Sequence, residues 1–192
     1  MLQRSDLWSL EEYSEQRPTF RTEVLAQKQD RRVVLGDHIL LTFENTTTIR
    51  YQVQEMLRIE KVFEAAAIQE ELDSYNPLIP DGNNWKCTLL IQYEDVDERR
   101  RRLNDLVGVE DKIWVRIGDC AKVYPIADED MERSYEDKTS AVHFLRYQLS
   151  ASQVEQAKSG ADISFGVELL AFPCDDLVVP GATRQSLAAD LN

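Results

Sequence analysis

Four residues of helix-capping type open the run Asn45-Thr46-Thr47-Thr48-Ile49-Arg50-Tyr51-Gln52-Val53-Gln54-Glu55-Met56-Leu57-Arg58-Ile59-Glu60, and neither Gly nor Pro interrupts the chain from there until Pro77. Side-chain oxygens at such positions accept from the free amides of a first helical turn, and an uninterrupted run lets the helix propagate. A long helical segment is the strongest feature of the sequence. Ile49, Val53, Met56, Leu57 and Phe63 fall on one stripe at about 100° per residue, whereas Ala65, Ile68, Leu72 and Tyr75 lie roughly 100° around the cylinder. That offset predicts a kink, or two helices, near Phe63.

Upstream, Ser5 or Asp6 caps a first short helix through Leu7, Leu10 and Tyr13. Pro18, which suits a first turn, opens a second carrying Phe20, Val24, Leu25 and Lys28. Val33-Val34-Leu35 and residues 38–44 read as strands joined at Gly36-Asp37, with Ile39, Leu41 and Phe43 on one face. Downstream of the loop 80–84 the texture changes to period two. Cys87, Leu89, Ile91 and Tyr93 alternate with Thr88, Leu90 and Gln92, and strands are expected at 112–117, 121–126, 140–149 and 162–170. An arginine-rich helix to Leu106, an acidic loop at 128–137 and helices at 150–159 and 180–191 complete the pattern. Helices gathered before strands predict an α+β class, with N-terminal helices and the long kinked helix packed on a mostly antiparallel sheet. The expected organisation is a single domain over 1–192, helix-rich in 1–80 and strand-rich in 81–192.

Composition narrows the partners. With 22 basic and 35 acidic side chains the formal charge is −13, which repels phosphate backbones. The densest basic run, Arg99-Arg100-Arg101-Arg102, is flanked by Asp95, Asp97, Glu98 and Asp105 and fans around a helix. Nucleic acid is therefore not an expected partner. No apolar run approaches the roughly 20 residues of a membrane span, and the first six residues carry no basic region followed by an apolar core, so no membrane or secretory role is expected. Cys87, Cys120 and Cys174 form no CxxC pair, which points to the cytoplasm. Nucleotide loops of the GxGxxG or Walker type and a GxSxG elbow are absent from the sequence.

Two residues break the hydrophobic pattern. Glu60 lies about 20° from Ile49 on the helical projection, inside the apolar stripe, where a carboxylate needs a partner. His143 alternates with Ala141, Leu145, Tyr147 and Leu149 on the apolar face of its strand. If that face receives the long helix, Glu60 and His143 share a hydrogen bond in a polar pocket with Gln52 and Glu55, completed by Glu44, Tyr75 or Tyr51. A satisfied core network explains such a pocket without any ligand. A metal or proton-transfer site is the other reading, with Glu60 and His143 as candidate ligands for iron, manganese or zinc, although no Glu-x-x-His or His-x-x-x-His spacing supports it.

Arg31-Arg32-Val33-Val34-Leu35-Gly36, Phe43-Glu44-Asn45 with Thr48, Gln52, Gln54-Glu55-Met56, Arg58 and Glu60, then Glu71-Leu72, Tyr75-Asn76 and Ile79-Pro80 resemble a family of uncharacterised bacterial proteins catalogued as a domain of unknown function. The likeness spans nearly the whole chain and is densest between Arg31 and Pro80. Members are often encoded near a rubrerythrin and an iron-sulfur oxidoreductase, so the resemblance implies oxidative stress or electron transfer and a redox protein as partner. It carries over no catalytic residues and names no cofactor, which stays unknown. Two function classes follow: a binding or accessory module that docks a redox partner, and a metal protein or enzyme built around Glu60. Homo-oligomerisation stays open.

Overall fold

Helix-forming segments from the N-terminal end gather into one unit, Met1–Asp30 with Glu44–Pro80, and strand-forming segments into another, Arg31–Phe43 with Asp81–Asn192. The computed structural model describes residues 1–134 and 138–192. The division does not fall at residue 80 alone, because the hairpin 31–43 is a sheet component inserted between helices. The class is α+β, as the switch from helical to alternating periodicity requires.

In the helical unit, α1 (Leu10–Gln29) runs unbroken through Pro18, where two short helices were expected. Ser9, not Ser5 or Asp6, caps it, and Glu12 closes a capping box. Pro18 is exposed, so the carbonyl it leaves without a donor can turn to water, and burial of Tyr13, Phe20 and Val24 along one side holds the helix together. The helix α2 (Thr46–Glu60) is capped by Asn45 in a reciprocal box with Thr48 and ends at Lys61 in the left-handed region. A separate helix, α3 (Ala65–Tyr75), follows. The angular offset in the sequence thus resolves as two helices, with Ile49, Val53, Leu57 and Leu72 in a common core and Phe63 exposed in the connection.

In the sheet unit, β1 (Arg32–Leu35), β2 (Ile39–Phe43), β3 (Asn84–Ile91), β5 (Ile126–Ala127) and β6 (Val142–Gln148) form an antiparallel sheet of order β1-β2-β3-β6-β5. A second antiparallel sheet orders β4 (Ile113–Ile117), β7 (Ile163–Val167) and β8 (Cys174–Val178) as β4-β7-β8. The sequence suggests one sheet and leaves β8 without a strand assignment, because Asp175 and Asp176 break its alternation. Residues 121–126 do not make a full partner for β4; Val123 alone bridges Val115. Of the expected acidic loop, residues 135–137 lie outside the described residues.

Inward rows of the two sheets share one core. Phe165 meets Phe43 and Tyr147 at ring separations of 5.5 and 6.0 Å, and each such buried side chain contributes roughly 1.5–3 kcal/mol. The Tyr147 hydroxyl donates to the Ile113 carbonyl at 3.1 Å, joining the sheets, and Trp85 Nε1 donates to Leu187 O at the end of α6 (Gly181–Ala188). Gly166 sits under the Trp114 ring, where a Cβ would lie 2.3 Å from the indole and 2.6 Å from the Cys174 carbonyl. The remaining helices of this unit are α4 (Val96–Asp105), capped by Asp95, and α5 (Ala151–Lys158), capped by Ser150. The arginines of α4 form a wetted face, with Arg102 near Glu98 and Asp105.

Candidate functional site

The alternation of β6 turns His143 into the core row of Leu145 and Tyr147, and the imidazole is completely buried. Asp128, just beyond β5, meets it. The backbone there adopts φ +49°, a left-handed conformation that Asp tolerates better than most residues. Its amide donates to Phe144 O at 2.8 Å, and its carboxylate accepts from Phe144 N at 2.9 Å. Clamped to β6 in this way, Asp128 places Oδ2 2.6 Å from His143 Nδ1.

On the other side of the ring, Nε2 lies 2.8 Å from Thr139 Oγ1 and 3.0 Å from the Ser140 carbonyl. Thr139 Oγ1 is 2.7 Å from Ser134 Oγ, and Ser134 donates to Glu110. A chain of polar contacts therefore runs Asp128, His143, Thr139, Ser134, Glu110. Asp128 also accepts from Arg133 at 3.1 Å, while Arg133 holds Asp130 at 2.5 Å and lies over the Phe144 ring. Burial of polar groups is tolerated here because each is bonded to another.

Glu110, Asp128, Arg133 and Ser134 also line a cavity of about 530 Å³, bounded further by Asp111 and Glu132. Glu110 and Asp128 are occupied by the network. Asp111 and Glu132 are exposed at the cavity and show no side-chain bond among the described residues. Partial burial, and then the neighbouring Glu110, push the Asp111 carboxyl above its usual range. The site is thus a cavity with surplus negative charge and one hydroxyl, that of Ser134, in its lining.

The pocket expected from the sequence is not assembled as drawn there. Glu60 is exposed at the last turn of α2, and its resolved electrostatic effect is to help burial raise the pKa of Glu71. The projection assumed a helix running on to Phe63; the chain leaves the helix at Lys61, so no apolar wall closes over Glu60. His143 bonds to Asp128, Thr139 and Ser140 instead of Glu60. Glu44 accepts from Thr48 Oγ1 at 2.5 Å beside the α2 cap. Glu55 is held by Arg17 at 2.7 and 2.9 Å, with Tyr13 and Arg58 also donating. Gln52 is half-buried on α2, and Tyr75 packs at the edge of the core formed by Ile49, Val53 and Leu72. Glu44 precedes the Asn45 cap and Glu60 closes the last turn of α2, a helix about 22 Å long at 1.5 Å per residue, so these carboxylates do not gather in one pocket. Among the described residues, no group of three or more His, Cys, Asp and Glu is arranged to hold a metal ion.

Of the groups that do surround His143, the sequence pointed only to the acidic loop that contains Asp128 and Glu132. Glu110, Thr139 and Ser134 carry no periodicity signal, because they come from a turn and a loop.

The class defined so far is an α+β protein whose sheet unit holds a buried histidine network beside an acidic cavity. The chain belongs to the family described as "Protein of unknown function (DUF3501)", which matches residues 1–191. It is similar to a novel protein of unknown function from Burkholderia pseudomallei K96243, known from a crystal structure. The two are 46% identical with a TM-score of 0.93, over 100% of this chain and 99% of that one. A search of curated proteins returns no match. No helix among the described residues is long and apolar enough to cross a membrane.

Proposed function

We propose that the protein is a binding or accessory module and that the cavity beside His143 receives an organic cation, an amine or guanidine. The observation that carries this reading is the division of the cavity's carboxylates. Glu110 and Asp128 are consumed by hydrogen bonds, whereas Asp111 and Glu132 line the space with no side-chain partner among the described residues. Charge left uncompensated in a partly desolvated cavity favours a ligand of opposite sign. Titration calorimetry with agmatine as probe should show saturable binding that the Asp111→Asn/Glu132→Gln double variant loses. Stoichiometric metal in protein purified without chelator, with no heat from agmatine, would replace this reading by the metal one.

The free thiols of Cys120 and Cys174 support a reducing, cytoplasmic location, and the family resemblance supports a redox protein as the partner that an accessory module would serve. The Ser134 hydroxyl donates to Glu110 and touches Thr139, which adjoins His143 and Asp128, and this favours a second reading, proton transfer from a cavity hydroxyl to Glu110. Covalent labelling of Ser134 by a fluorophosphonate probe, lost in Glu110→Gln, would establish it; an unlabelled Ser134 removes it.

A further inference from the structure

The helical unit contains a pocket of a different chemistry. Between the segment preceding α1 and the adjoining parts of α2 and α3, Leu7, Trp8, Leu57, Phe63 and Ile68 enclose about 240 Å³, and Arg4 stands in its lining. The apolar wall is prebuilt. Gln54, fully buried on α2, accepts from Trp8 N at 2.7 Å and donates to Trp8 O at 3.4 Å, which fixes the backbone of that residue. Arg50 lies 4.0 Å above the indole, and Phe20 packs edge-on to it at 5.1 Å. A wall held in this way costs little further ordering when a ligand enters.

Arg4 supplies the second, independent feature. In a chain of charge −13, Arg17, Arg31, Arg58, Arg116, Arg133, Arg146 and Arg184 are all engaged with carboxylates. The Arg4 guanidinium makes no ion pair among the described residues, yet it borders an apolar pocket. Its planar fork of donors matches a carboxylate. As for size, a dry cavity of roughly 150 Å³ takes a benzene ring, so this one has room for a ring or short chain with a polar head at the mouth.

We propose that this pocket binds a small free amphiphilic carboxylate, with its apolar end against Leu7, Trp8, Leu57 and Ile68 and its carboxylate on Arg4. The proposal does not depend on the acidic cavity of the sheet unit, which selects the opposite charge. The test uses the full chain and three probes of equal length: hexanoate, hexanol and hexylamine. Hexanoate should bind saturably and shift the Trp8 indole resonance, identified by Trp8→Phe, while those of Trp85 and Trp114 stay in place. Hexylamine should bind at least about tenfold more weakly. Arg4→Gln alters an exposed side chain, so the fold should be retained while hexanoate weakens to the level of hexanol; Ile68→Trp should fill the pocket and abolish both. Equal binding of acid and amine, no saturable binding of hexanoate, or hexanoate binding unchanged in Arg4→Gln and Ile68→Trp would each overturn the proposal. So would self-association that excludes hexanoate and that Ile68→Trp abolishes, since a second copy would then be the occupant.

Discussion

Two carboxylates, one in each unit, meet arginine with opposite electrostatic outcomes. In the helical unit Glu55 receives a forked contact from Arg17 plus donors from Arg58 and Tyr13, and remains partly open to water. Arg17's hydrogen bonds outweigh burial, and the pKa of Glu55 falls to about 2. In the sheet unit Asp190 receives a forked contact from Arg31 at 2.5 and 3.3 Å, but Arg31 is only 1% exposed. Burial outweighs Arg31 there, and the pKa of Asp190 rises. The same ion pair is therefore a source of stability where water still reaches it, and an electrostatic burden with a structural use where water does not. The use is visible in the other donations from Arg31, to Phe43 O at 2.9 Å and to Ser186 O and Oγ, which tie the end of β2 to α6.

The strongest way to break this comparison is to separate the units at residue 80. Neither is continuous in sequence, and a fragment of residues 81–192 lacks β1 and β2, whose second strand pairs with β3 from Ile39↔Ile91 to Phe43↔Cys87. That fragment should fail to give a cooperative melt and should aggregate through the bared β3 edge. The full chain, proposed to be one domain, should melt in a single transition. A folded, monomeric fragment would contradict the first expectation, and two separate transitions in the full chain the second.

Next in size is Arg31→Met. Removal of one partner from a buried pair typically costs about 3–5 kcal/mol, read as a lower urea midpoint. Adding Asp190→Leu should recover much of that loss; if the double variant is no better than the single, Asp190 was not the group left stranded.

Glu55→Gln should cost on the order of 2 kcal/mol at neutral pH: a fall in pKa from 4.5 to about 2 corresponds to roughly 3 kcal/mol, which the water still reaching the pair reduces. A lowered folded-state pKa means that the contribution of Glu55 is complete above about 4.5 and drains away as pH falls toward about 2. Asp190 has the opposite sign: its raised pKa contributes stability that is complete below 3.8 and lost as pH rises through its folded-state value. Acidification to pH 3 should therefore loosen α1 and α2 before the sheet, as read by amide hydrogen exchange, and Glu55→Gln should flatten that difference. Uniform loss of protection would show that the two pairs do not differ in the way described. The smallest effect is expected from Glu60→Leu, within about 0.5 kcal/mol of the parent protein, because Glu60 is a surface residue.

How far the sequence reaches can be judged at particular residues. The Asn45 cap with Thr48, the Ile49-Val53-Leu57 stripe, the alternation of β3 and β6 and the inward direction of His143 are all legible, because each depends on neighbours within a few positions and on a fixed period. Local rules also supplied the break after α2, though as a choice between a kink and two helices. They misplaced the start of α1, where Ser9 and tertiary burial of Tyr13 and Phe20 override the proline signal. The sorting of strands into two sheets, the insertion of the hairpin 31–43 into the second unit and the edge strand β8 were decided only in three dimensions. The same holds for the site. His143 could be seen to need a partner, but nothing periodic says that the partner is Asp128, 15 positions away, or that Glu110 and Ser134 lie beyond it. Side chains delivered by loops are positioned by contacts distant in sequence, whereas a helix or strand carries its directional information within a single turn or pleat.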